Sequence, residues 1–211
     1  MTRLIIVRHG ESESNLRHHI AGHTDMKLTA LGLKQAEVTA AHLADEPIAA
    51  VYSSDLSRAM QTALPHAERR GLKVIPEPAF REAFCGEWEG REVTELAVCY
   101  PEEYSNGFLH HFGTCQIPGG EYMPDVGKRA FDKLLELAKA HDGQTILIAS
   151  HGATIRMLWS MLCDMPAERI DAELPYPTNA SYSIAEYDGE RIVPVEYSHD
   201  AHMPFVTRVH L

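Results

Sequence analysis

Two short apolar segments, each ending in histidine and glycine, constrain the fold of this chain more than any other feature. Residues 4–10 read LIIVRHG, and residues 145–152 read TILIASHG. Short runs rich in β-branched residues are typical of strands buried in a parallel sheet, and ligands of such sheets bind beyond the carboxyl ends of the strands. A lone histidine at a strand end more often only hydrogen-bonds to a nearby loop. Because the pattern occurs twice, we expect His9 and His151 to meet in one pocket.

The residues between these two segments alternate between helical and strand patterns. Thr29 is a typical helix N-cap, and the apolar spacing after it predicts a helix that stops before Pro47. A strand at residues 48–52 follows, and a second helix, with Pro65 inside it, begins after the cap-type residues 53–55. The inner faces are predicted to carry Leu33, Ala36, Ala40 and Leu43 in the first helix and Ala59, Met60, Ala63, Leu64 and Ala67 in the second. A short strand is then predicted at Val74 and Ile75.

Two further helices and a hairpin are predicted in the second half of the chain. One helical pattern opens at Pro124, and residues 154–163 are apolar on nearly every side, as expected of a buried helix. The dipeptide Asp-Gly at 188–189 lies between strand patterns at 181–187 and 191–197. This arrangement is a strong hairpin signal and predicts antiparallel strands at one edge of the sheet.

Strands that alternate with helices define the fold class. They predict an α/β fold, a three-layer αβα sandwich whose sheet is mostly parallel with an antiparallel edge. We expect a single domain over residues 1–211. Residues 91–123 are aromatic and irregular, and we interpret them as a helical, lid-like insertion over the site. The tail at 199–211 has no clear pattern.

Charge and cysteine content exclude several classes of partner. The chain has 211 residues and a formal net charge of -11, whereas nucleic acids and anionic membranes need clustered Lys and Arg on the protein. No apolar stretch approaches the ~20 residues that a membrane helix needs. The four cysteines form no C-x-x-C pair, which favours reduced thiols and a cytoplasmic location. The sequence does not indicate the oligomeric state.

The histidines outside the two strand ends do not predict a metal site. His18, His19 and His23 lie in a polar stretch, but adjacent side chains point apart on a helix or a strand. His199 and His202 are interpreted as surface residues, because no carboxylate-rich ligand set accompanies them. We therefore predict no metal ion.

The residues expected near the two strand ends suit a phosphoryl group. Arg8 precedes His9, and Asn15 follows shortly after it. Arg58 falls in the first turn of a predicted helix, where a cation is unfavourable unless an anion lies nearby. These donors match the anionic oxygens of a phosphoryl group, and no Walker loop or metal-binding carboxylate set is evident. Protein cations must then balance the charge, and a neutral imidazole such as His9 can attack phosphorus.

An acid for the leaving group is expected between residues 80 and 90. This segment combines aromatic residues and glycines with three carboxylates, Glu82, Glu87 and Glu89. A carboxyl group in a partly apolar pocket can act as a proton donor. Spacing alone does not say which of the three has this role.

Four groups of residues resemble a known family. They are Arg8, His9, Gly10, Glu11, Ser12 and Asn15; Gly22, Leu28, Thr29 and Gly32; residues 53–59 with Gln61, Thr62 and Ala63; and Ser150, His151 and Gly152. In this order, over roughly residues 3–187, they resemble the histidine phosphatase superfamily, also called phosphoglycerate mutase-like.

The resemblance implies a role for each matching residue and requires no cofactor. His9 would be phosphorylated, and Glu82 would protonate the leaving oxygen and later activate water. The residues implied to bind the phosphoryl group or the substrate are Arg8, Arg58 and His151, with Asn15, Gly22 and Gly152 in lesser contacts. The implied reaction is hydrolysis of a small-molecule phosphomonoester through a phosphohistidine.

The acid segment favours the phosphatase branch over the mutase branch. Mutases typically have Glu-Arg-His-Tyr-Gly at the acid, then Gly-x-Asn-Lys and an arginine pair in a longer insertion. Here Glu82 is followed by Ala-Phe-Cys, and residues 86–90 read GEWEG, which resembles broad-specificity and α-ribazole phosphatases. The alternatives are a cofactor-dependent phosphoglycerate mutase and a non-catalytic module that binds a phosphorylated ligand. A phosphotyrosine protein is a further candidate substrate.

Overall fold

The computed structural model of the chain describes residues 1–205, and a six-stranded sheet forms its centre. The strands are β1 (Thr2–Arg8), β2 (Ile48–Ser53), β3 (Val74–Pro76), β4 (Thr145–Ser150), β5 (Tyr182–Tyr187) and β6 (Ile192–His199). Their order across the sheet is β3, β2, β4, β1, β5, β6. The first four are mutually parallel, whereas β5 and β6 are antiparallel to their neighbours. The predicted α/β class with an antiparallel edge is confirmed.

Helices connect the strands. They are α1 (Glu13–Leu16), α2 (Ala30–His42), α3 (Ser57–Glu68), α4 (Val93–Cys99), α5 (Met123–Ala140), α6 (Gly152–Leu162) and α7 (Ile170–Glu173). Between α4 and α5 lie a π-helix at Pro101–Phe108 and a 3₁₀ turn at Phe112–Thr114. Further 3₁₀ turns are at Pro78–Phe80, Gly86–Trp88 and Ala167–Arg169. Within residues 1–205, no helix combines the length and apolar character that crossing a bilayer requires.

The alternation of side chains along β1 explains why helices cover both faces of the sheet. Ile5 and Val7 pack with residues of α3, whereas Leu4 and Ile6 pack with residues of α5 and α6. β1 pairs in parallel with β4, with Arg8 opposite Ser150. Both strands therefore end at the same edge of the sheet, and the histidine that follows each strand lies at that edge.

Helix α2 buries Ala36, Ala40 and the following Leu43 as predicted, and a polar face that was not predicted is buried beside them. Thr29 accepts a hydrogen bond from the Gly32 backbone as the expected N-cap, but the Leu33 side chain is 45% exposed. Gln35 and Thr39 are buried instead. Gln35 accepts a hydrogen bond from the Glu11 backbone amide, and Thr39 donates one to the Ala180 carbonyl. Apolar spacing missed this face because its polar residues bind backbone groups of neighbouring segments.

Helix α3 buries Ala59, Ala63 and Ala67 as predicted, but two other residues of its predicted inner face are not buried. Leu64 is 47% exposed and Met60 is half-buried, so neither belongs to the core. Arg58, Thr62 and His66 are buried in their place, one helical turn apart. Thr62 accepts a hydrogen bond from the Gly10 backbone amide. This face of α3 thus supports the chain that follows β1.

The cap-type residues 53–55 do not occupy the N-cap position of α3. The N-cap position is Leu56, which has no side-chain cap. Asp55 instead forms an ion pair with Arg81, and only the Ser54 hydroxyl accepts a hydrogen bond from the Leu56 amide. The ion pair ties the start of α3 to the segment that contains Glu82.

Candidate active site

The two strand-end histidines lie together at the carboxyl edge of the sheet. The centroids of the His9 and His151 rings are 5.1 Å apart, and both side chains are buried. A cleft beside them is lined by five of the other predicted site residues. These are Arg8, Asn15, Gly22, Arg58 and Glu82. The structure therefore brings together residues that are far apart in sequence.

His9 is held in the form that can act as a nucleophile. Its Nδ1 lies 2.7 Å from the Gly10 carbonyl oxygen, which can only accept a hydrogen bond. Nδ1 therefore carries the proton, and the neutral ring has its lone pair on Nε2. Burial, followed by the charges of Arg58 and Arg8, holds the pKa of the His9 imidazole well below its usual range. His9 is neutral at physiological pH.

His151 closes the pocket behind His9. Its Nε2 shares a hydrogen bond of 2.7 Å with the Ser54 hydroxyl, which follows the end of β2. Burial, followed by the charges of Arg58 and His9, lowers the pKa of the His151 imidazole well below its usual range. His151 is also the N-cap residue of α6, so the positive end of the α6 dipole lies at the same edge of the sheet.

Arg8 and Arg58 donate to backbone carbonyls, and no carboxylate within residues 1–205 forms an ion pair with either of them. Arg8 Nη1 donates to the Pro177 carbonyl, and its guanidinium lies 5.2 Å from the Tyr176 ring centroid. Arg58 donates to the carbonyls of Gly22 and Thr24, at 2.7 and 3.1 Å. A guanidinium has five N–H donors, and the Arg8 Nε is buried without a hydrogen-bond partner in the described residues. Both side chains therefore retain donors and charge for an anion.

The structure distinguishes the three carboxylates of the acid segment. Glu82 lines the cleft and accepts hydrogen bonds from the backbone amides of Ala153 and Thr154, at 3.3 and 3.1 Å. Glu87 is exposed and accepts a hydrogen bond from the Tyr100 hydroxyl. Glu89 binds backbone groups of a neighbouring loop. Of the three carboxylates, only Glu82 lines the cleft.

Glu89 fixes the loop that positions Arg58. Its carboxylate accepts hydrogen bonds from the amides of His23 and Cys85 and from the Thr24 hydroxyl. Gly22 has a φ of +51°, and a Cβ there would lie 2.2 Å from the Glu89 carboxylate oxygen. The loop therefore needs glycine for both conformation and space.

Asn15 and Gly152, the remaining residues predicted to contact the phosphoryl group, lie in different surroundings. The Asn15 side-chain oxygen accepts hydrogen bonds from Ser12 and from Asn179, at 3.0 and 3.1 Å, so its amide NH₂ is the group that an anion would use. Gly152, the first residue of α6, lies against the Tyr176 ring, and a Cβ there would approach that ring to 2.1 Å.

We expect Gly152→Ala to damage both the site and the fold. The new methyl group must push the Tyr176 ring away from Arg8, and overpacking of this kind costs about 1–3 kcal/mol. Urea unfolding should give a lower midpoint, and kcat/KM for a phosphomonoester should fall at least tenfold. Gly107→Ala is the matched control, because the nearest atom to its Cβ is 3.4 Å away. Equal unfolding midpoints for Gly152→Ala and the wild type would contradict this packing.

Sequence reasoning missed Tyr176 and Asn179, which both lie in the loop before β5. Asn179 donates hydrogen bonds to the His9 carbonyl and to Asn15, each at 3.1 Å. The only signal in the sequence was the Pro-Tyr-Pro run at 175–177, which indicates a fixed, extended segment. It gives no hint that the segment lies against Arg8.

Four of the histidines that were considered as metal ligands occupy two places, and a fifth, His23, lies 2.8 Å from the Glu82 carbonyl through its Nε2. His18 and His19 line the cleft, beside the half-buried Ile20. His199 and His202, which were interpreted as surface residues, are half-buried and pack against the Tyr182 ring. That interpretation was wrong because the antiparallel edge brings the end of β6 beside α2. The part of the tail at 206–211 lies outside the described residues.

The comparisons with known proteins agree on one family. Residues 4–200 match the sequence profile of the histidine phosphatase superfamily (branch 1). Phosphoserine phosphatase 1 of Hydrogenobacter thermophilus is 32% identical over 215 residues, which cover 96% of this chain and 95% of that protein. A probable phosphoglycerate mutase GpmB of Yersinia pestis is 35% identical over 170 residues, covering 79% of this chain and 77% of the relative.

Two of the solved structures with the same fold are phosphatases. A mycobacterial glucosyl-3-phosphoglycerate phosphatase complexed with VO3 superposes with a TM-score of 0.86 at 27% identity, over 94% of this chain and 99% of that one. A phosphoserine phosphatase of Entamoeba histolytica, in complex with 3-phosphoglyceric acid, has a TM-score of 0.84 at 29% identity, over 96% and 99% of the two chains.

Proposed function

This chain belongs to the histidine phosphatase superfamily and is a phosphatase, and we propose that it hydrolyses small phosphomonoesters through a phosphohistidine at His9, without a metal ion. The observation that carries the proposal is the state of His9. Its Nδ1 proton is held by the Gly10 carbonyl, and its Nε2 lone pair is left for phosphorus beside two arginines that form no ion pair within the described part of the chain. A neutral, fixed imidazole is the form that covalent catalysis requires.

The proposed first half-reaction transfers the phosphoryl group to the protein. His9 Nε2 attacks phosphorus, and the bond between phosphorus and the ester oxygen breaks. Glu82 gives its proton to that oxygen, so the alcohol leaves neutral. Arg8 and Arg58 donate to the phosphoryl oxygens, whose charge spreads in the transition state.

The proposed second half-reaction releases inorganic phosphate. The Glu82 carboxylate, now without its proton, accepts a proton from a water molecule whose oxygen attacks phosphorus. The bond between phosphorus and Nε2 then breaks, and His9 returns to its neutral form. Glu82 thus acts first as an acid and then as a base, which requires it to lie at the cleft, where the structure has it.

Independence from metal ions is supported by the charges around the cleft. Phosphoryl transfer needs cations at the transferring group, and metals supply them in many enzymes. Arg8, Arg58 and the N-terminus of α6 provide positive charge here.

Location in the cytoplasm belongs to the same proposal and is supported by the four cysteines, which are all free thiols.

The substrate is proposed to be a small phosphorylated metabolite. Beyond the arginines, the cleft is lined by Ser14, His18 and His19, which offer hydrogen bonds to a polar or anionic group next to the ester, and by Val93 and Phe108. The names of the relatives point to phosphoserine and 3-phosphoglycerate derivatives, which place a carboxylate close to the phosphate. These esters are the first candidates.

A phosphoglycerate mutase is the second candidate function, because the Yersinia relative carries that name. A mutase must keep its phosphohistidine from water and hold a carboxylate and a second phosphate. The lysine and the arginine pair that mutases use for this purpose have no counterpart after Glu82 in the sequence. Phosphatase activity is therefore favoured.

Phosphate release from a panel of phosphomonoesters, measured with EDTA present, tests the proposed function. The panel includes phosphoserine, a sugar phosphate, phosphotyrosine, and 3-phosphoglycerate with and without 2,3-bisphosphoglycerate. We expect turnover that chelation changes less than twofold, with a preference for one class of ester. Loss of turnover in EDTA that added metal restores would contradict metal independence. Isomerisation of 3-phosphoglycerate without phosphate release would support the mutase, and no reaction with any ester would support a binding module.

A further inference from the structure

Three histidines outside the cleft form a cluster to which the proposed reaction gives no role. His42 is the last residue of α2, His199 is the last residue of β6, and His202 lies in the turn that follows. One nitrogen from each ring lies within 4.8 Å of the other two. None of the three lines the catalytic cleft. We propose that His42, His199 and His202 bind one transition-metal dication, such as Zn²⁺.

In the metal-free protein, hydrogen bonds determine which ring nitrogen of His202 has the lone pair. The Thr39 hydroxyl donates its proton to the Ala180 carbonyl at 2.9 Å, so it can only accept from His202 Nε2, which lies 3.0 Å away. Nε2 therefore carries the ring proton, and Nδ1 has the lone pair. That Nδ1 is buried and has no hydrogen-bond partner among residues 1–205. A buried acceptor without a partner is costly, and a metal ion would satisfy it.

His199 has the surroundings of a metal ligand. Its Nδ1 lies 2.6 Å from a carboxylate oxygen of Glu196, which accepts a hydrogen bond from the Nδ1–H group. Nε2 is then left to ligate. A carboxylate behind the far nitrogen is the usual arrangement for histidines on zinc, because it fixes the tautomer and makes the ligating nitrogen more basic.

His42 supplies the exposed side of the cluster. It is solvent-accessible, so an ion can enter past it, and it lies in the last turn of a 13-residue helix, where the helix dipole favours a cation. Its Nε2 shares a hydrogen bond of 3.2 Å with the Tyr182 hydroxyl. The formal charge of -11 on the whole chain also favours cation binding.

The three rings must reorient to bind one ion. They now lie within 9° to 19° of parallel, with centroids 4.7 to 6.0 Å apart, so their in-plane lone pairs do not meet at one point. Bonds of about 2.0–2.1 Å from zinc to imidazole nitrogen in a tetrahedral site place the nitrogens ~3.4 Å apart. The His42 and His202 ring centroids are 4.7 Å apart, and the exposed His42 can rotate toward the others. Three imidazoles leave the fourth position for water. Imidazole ligands suit Zn²⁺, Cu²⁺, Ni²⁺ and Co²⁺ and disfavour Mg²⁺ and Ca²⁺.

Metal binding at this cluster would stabilise the edge of the fold. The ion would join the end of α2 to the end of β6 and to the turn at 200–203. Thr39, which orients His202, also binds the Ala180 carbonyl, and the Ala180 amide donates to the His9 carbonyl at 3.2 Å. The ion would therefore hold the loop before β5, which contains Tyr176 and Asn179, in place.

Titration of the metal-free, tag-free full chain with Co²⁺ tests the site. Co²⁺ in a tetrahedral site shows intense visible d–d bands. We expect one equivalent to bind with these bands, and Zn²⁺ to displace it. The His42→Gln variant should bind at least tenfold more weakly, and His42→Gln with His199→Gln should show no such bands. The exposed His110→Gln is the matched control and should bind as the wild type does.

Thermal unfolding provides a second readout that needs no activity. At a Zn²⁺ concentration one hundred times Kd, the Tm of the wild type should rise by about 5 to 10 °C, and that of the double variant should not rise. If the double variant does not fold, the test uses the single variant His42→Gln, because His42 is exposed and its replacement leaves the core unchanged. One equivalent bound equally by wild type and His42→Gln would overturn the proposal, because the ion would then lie elsewhere. Absence of saturable binding to the wild type would also overturn it.

Discussion

The His9→Ala protein should lose at least ~10⁴-fold in kcat on every phosphomonoester. Removal of a covalent nucleophile costs a comparable factor in other enzymes, because the remaining groups can only bind and polarise the substrate. Neither His151 nor Glu82 is free to replace His9. His151 is buried behind it, with Nε2 hydrogen-bonded to Ser54, and Glu82 is held by the amides at the start of α6.

The covalent intermediate itself provides the sharper measurement. Wild-type protein mixed with a ³²P-labelled ester and quenched in base should retain label that acid releases, as a phosphohistidine does. His9→Ala should retain none. His19→Ala is the matched control, because His19 lines the same cleft without following a strand end. It should alter KM by less than about tenfold and still become labelled.

Binding of vanadate separates a lost nucleophile from a lost fold. His9 is buried, so its replacement could disturb the pocket. We expect His9→Ala to unfold cooperatively and to bind vanadate through Arg8 and Arg58. A variant that binds vanadate and turns over within tenfold of the wild type would contradict nucleophilic catalysis by His9.

The convergence of the two histidines could be predicted from sequence because it depends on a local pattern and a general rule. Short β-branched runs specify buried strands, and parallel neighbours end at the same edge. The pairing of β1 with β4, with Arg8 opposite Ser150, realises that expectation. Neither step needed knowledge of what lay between the strands.

The alanines on the inner faces of α2 and α3 were predicted, but the buried polar residues beside them were not, because hydrophobic spacing assumes that the inner face is apolar. Gln35, Thr39 and Thr62 face inward since each binds a backbone group or a neighbouring side chain near the pocket. Long-range contacts of this kind leave no periodic signal. Leu33 and Leu64, which fit the period, are exposed instead.

The histidine cluster and Tyr176 were missed for a different reason. His42 is separated from His199 and His202 by most of the chain, and only the antiparallel edge of the sheet brings them together. Tyr176 contacts Arg8 and Gly152 from a loop without a motif. Residue types alone do not encode such distances.

The Glu82→Gln protein should distinguish substrates by the quality of their leaving group. Glutamine has nearly the shape of glutamate but cannot donate a proton to the leaving oxygen. A poor leaving group such as an alkyl alcohol needs that proton, so kcat/KM for phosphoserine or a sugar phosphate should fall by about 10²–10⁴. The p-nitrophenolate ion leaves without protonation, so kcat/KM for its ester should fall less than about tenfold.

A series of aryl and alkyl phosphates with graded leaving-group pKa makes the prediction quantitative. A plot of log kcat/KM against that pKa should be shallow for the wild type and steep for Glu82→Gln. Glu87→Gln is the matched control, since Glu87 lies in the same segment but binds the Tyr100 hydroxyl outside the cleft. Its plot should coincide with that of the wild type. Parallel plots for Glu82→Gln and the wild type would mean that Glu82 only anchors the start of α6, and that the proton for the leaving group comes from elsewhere.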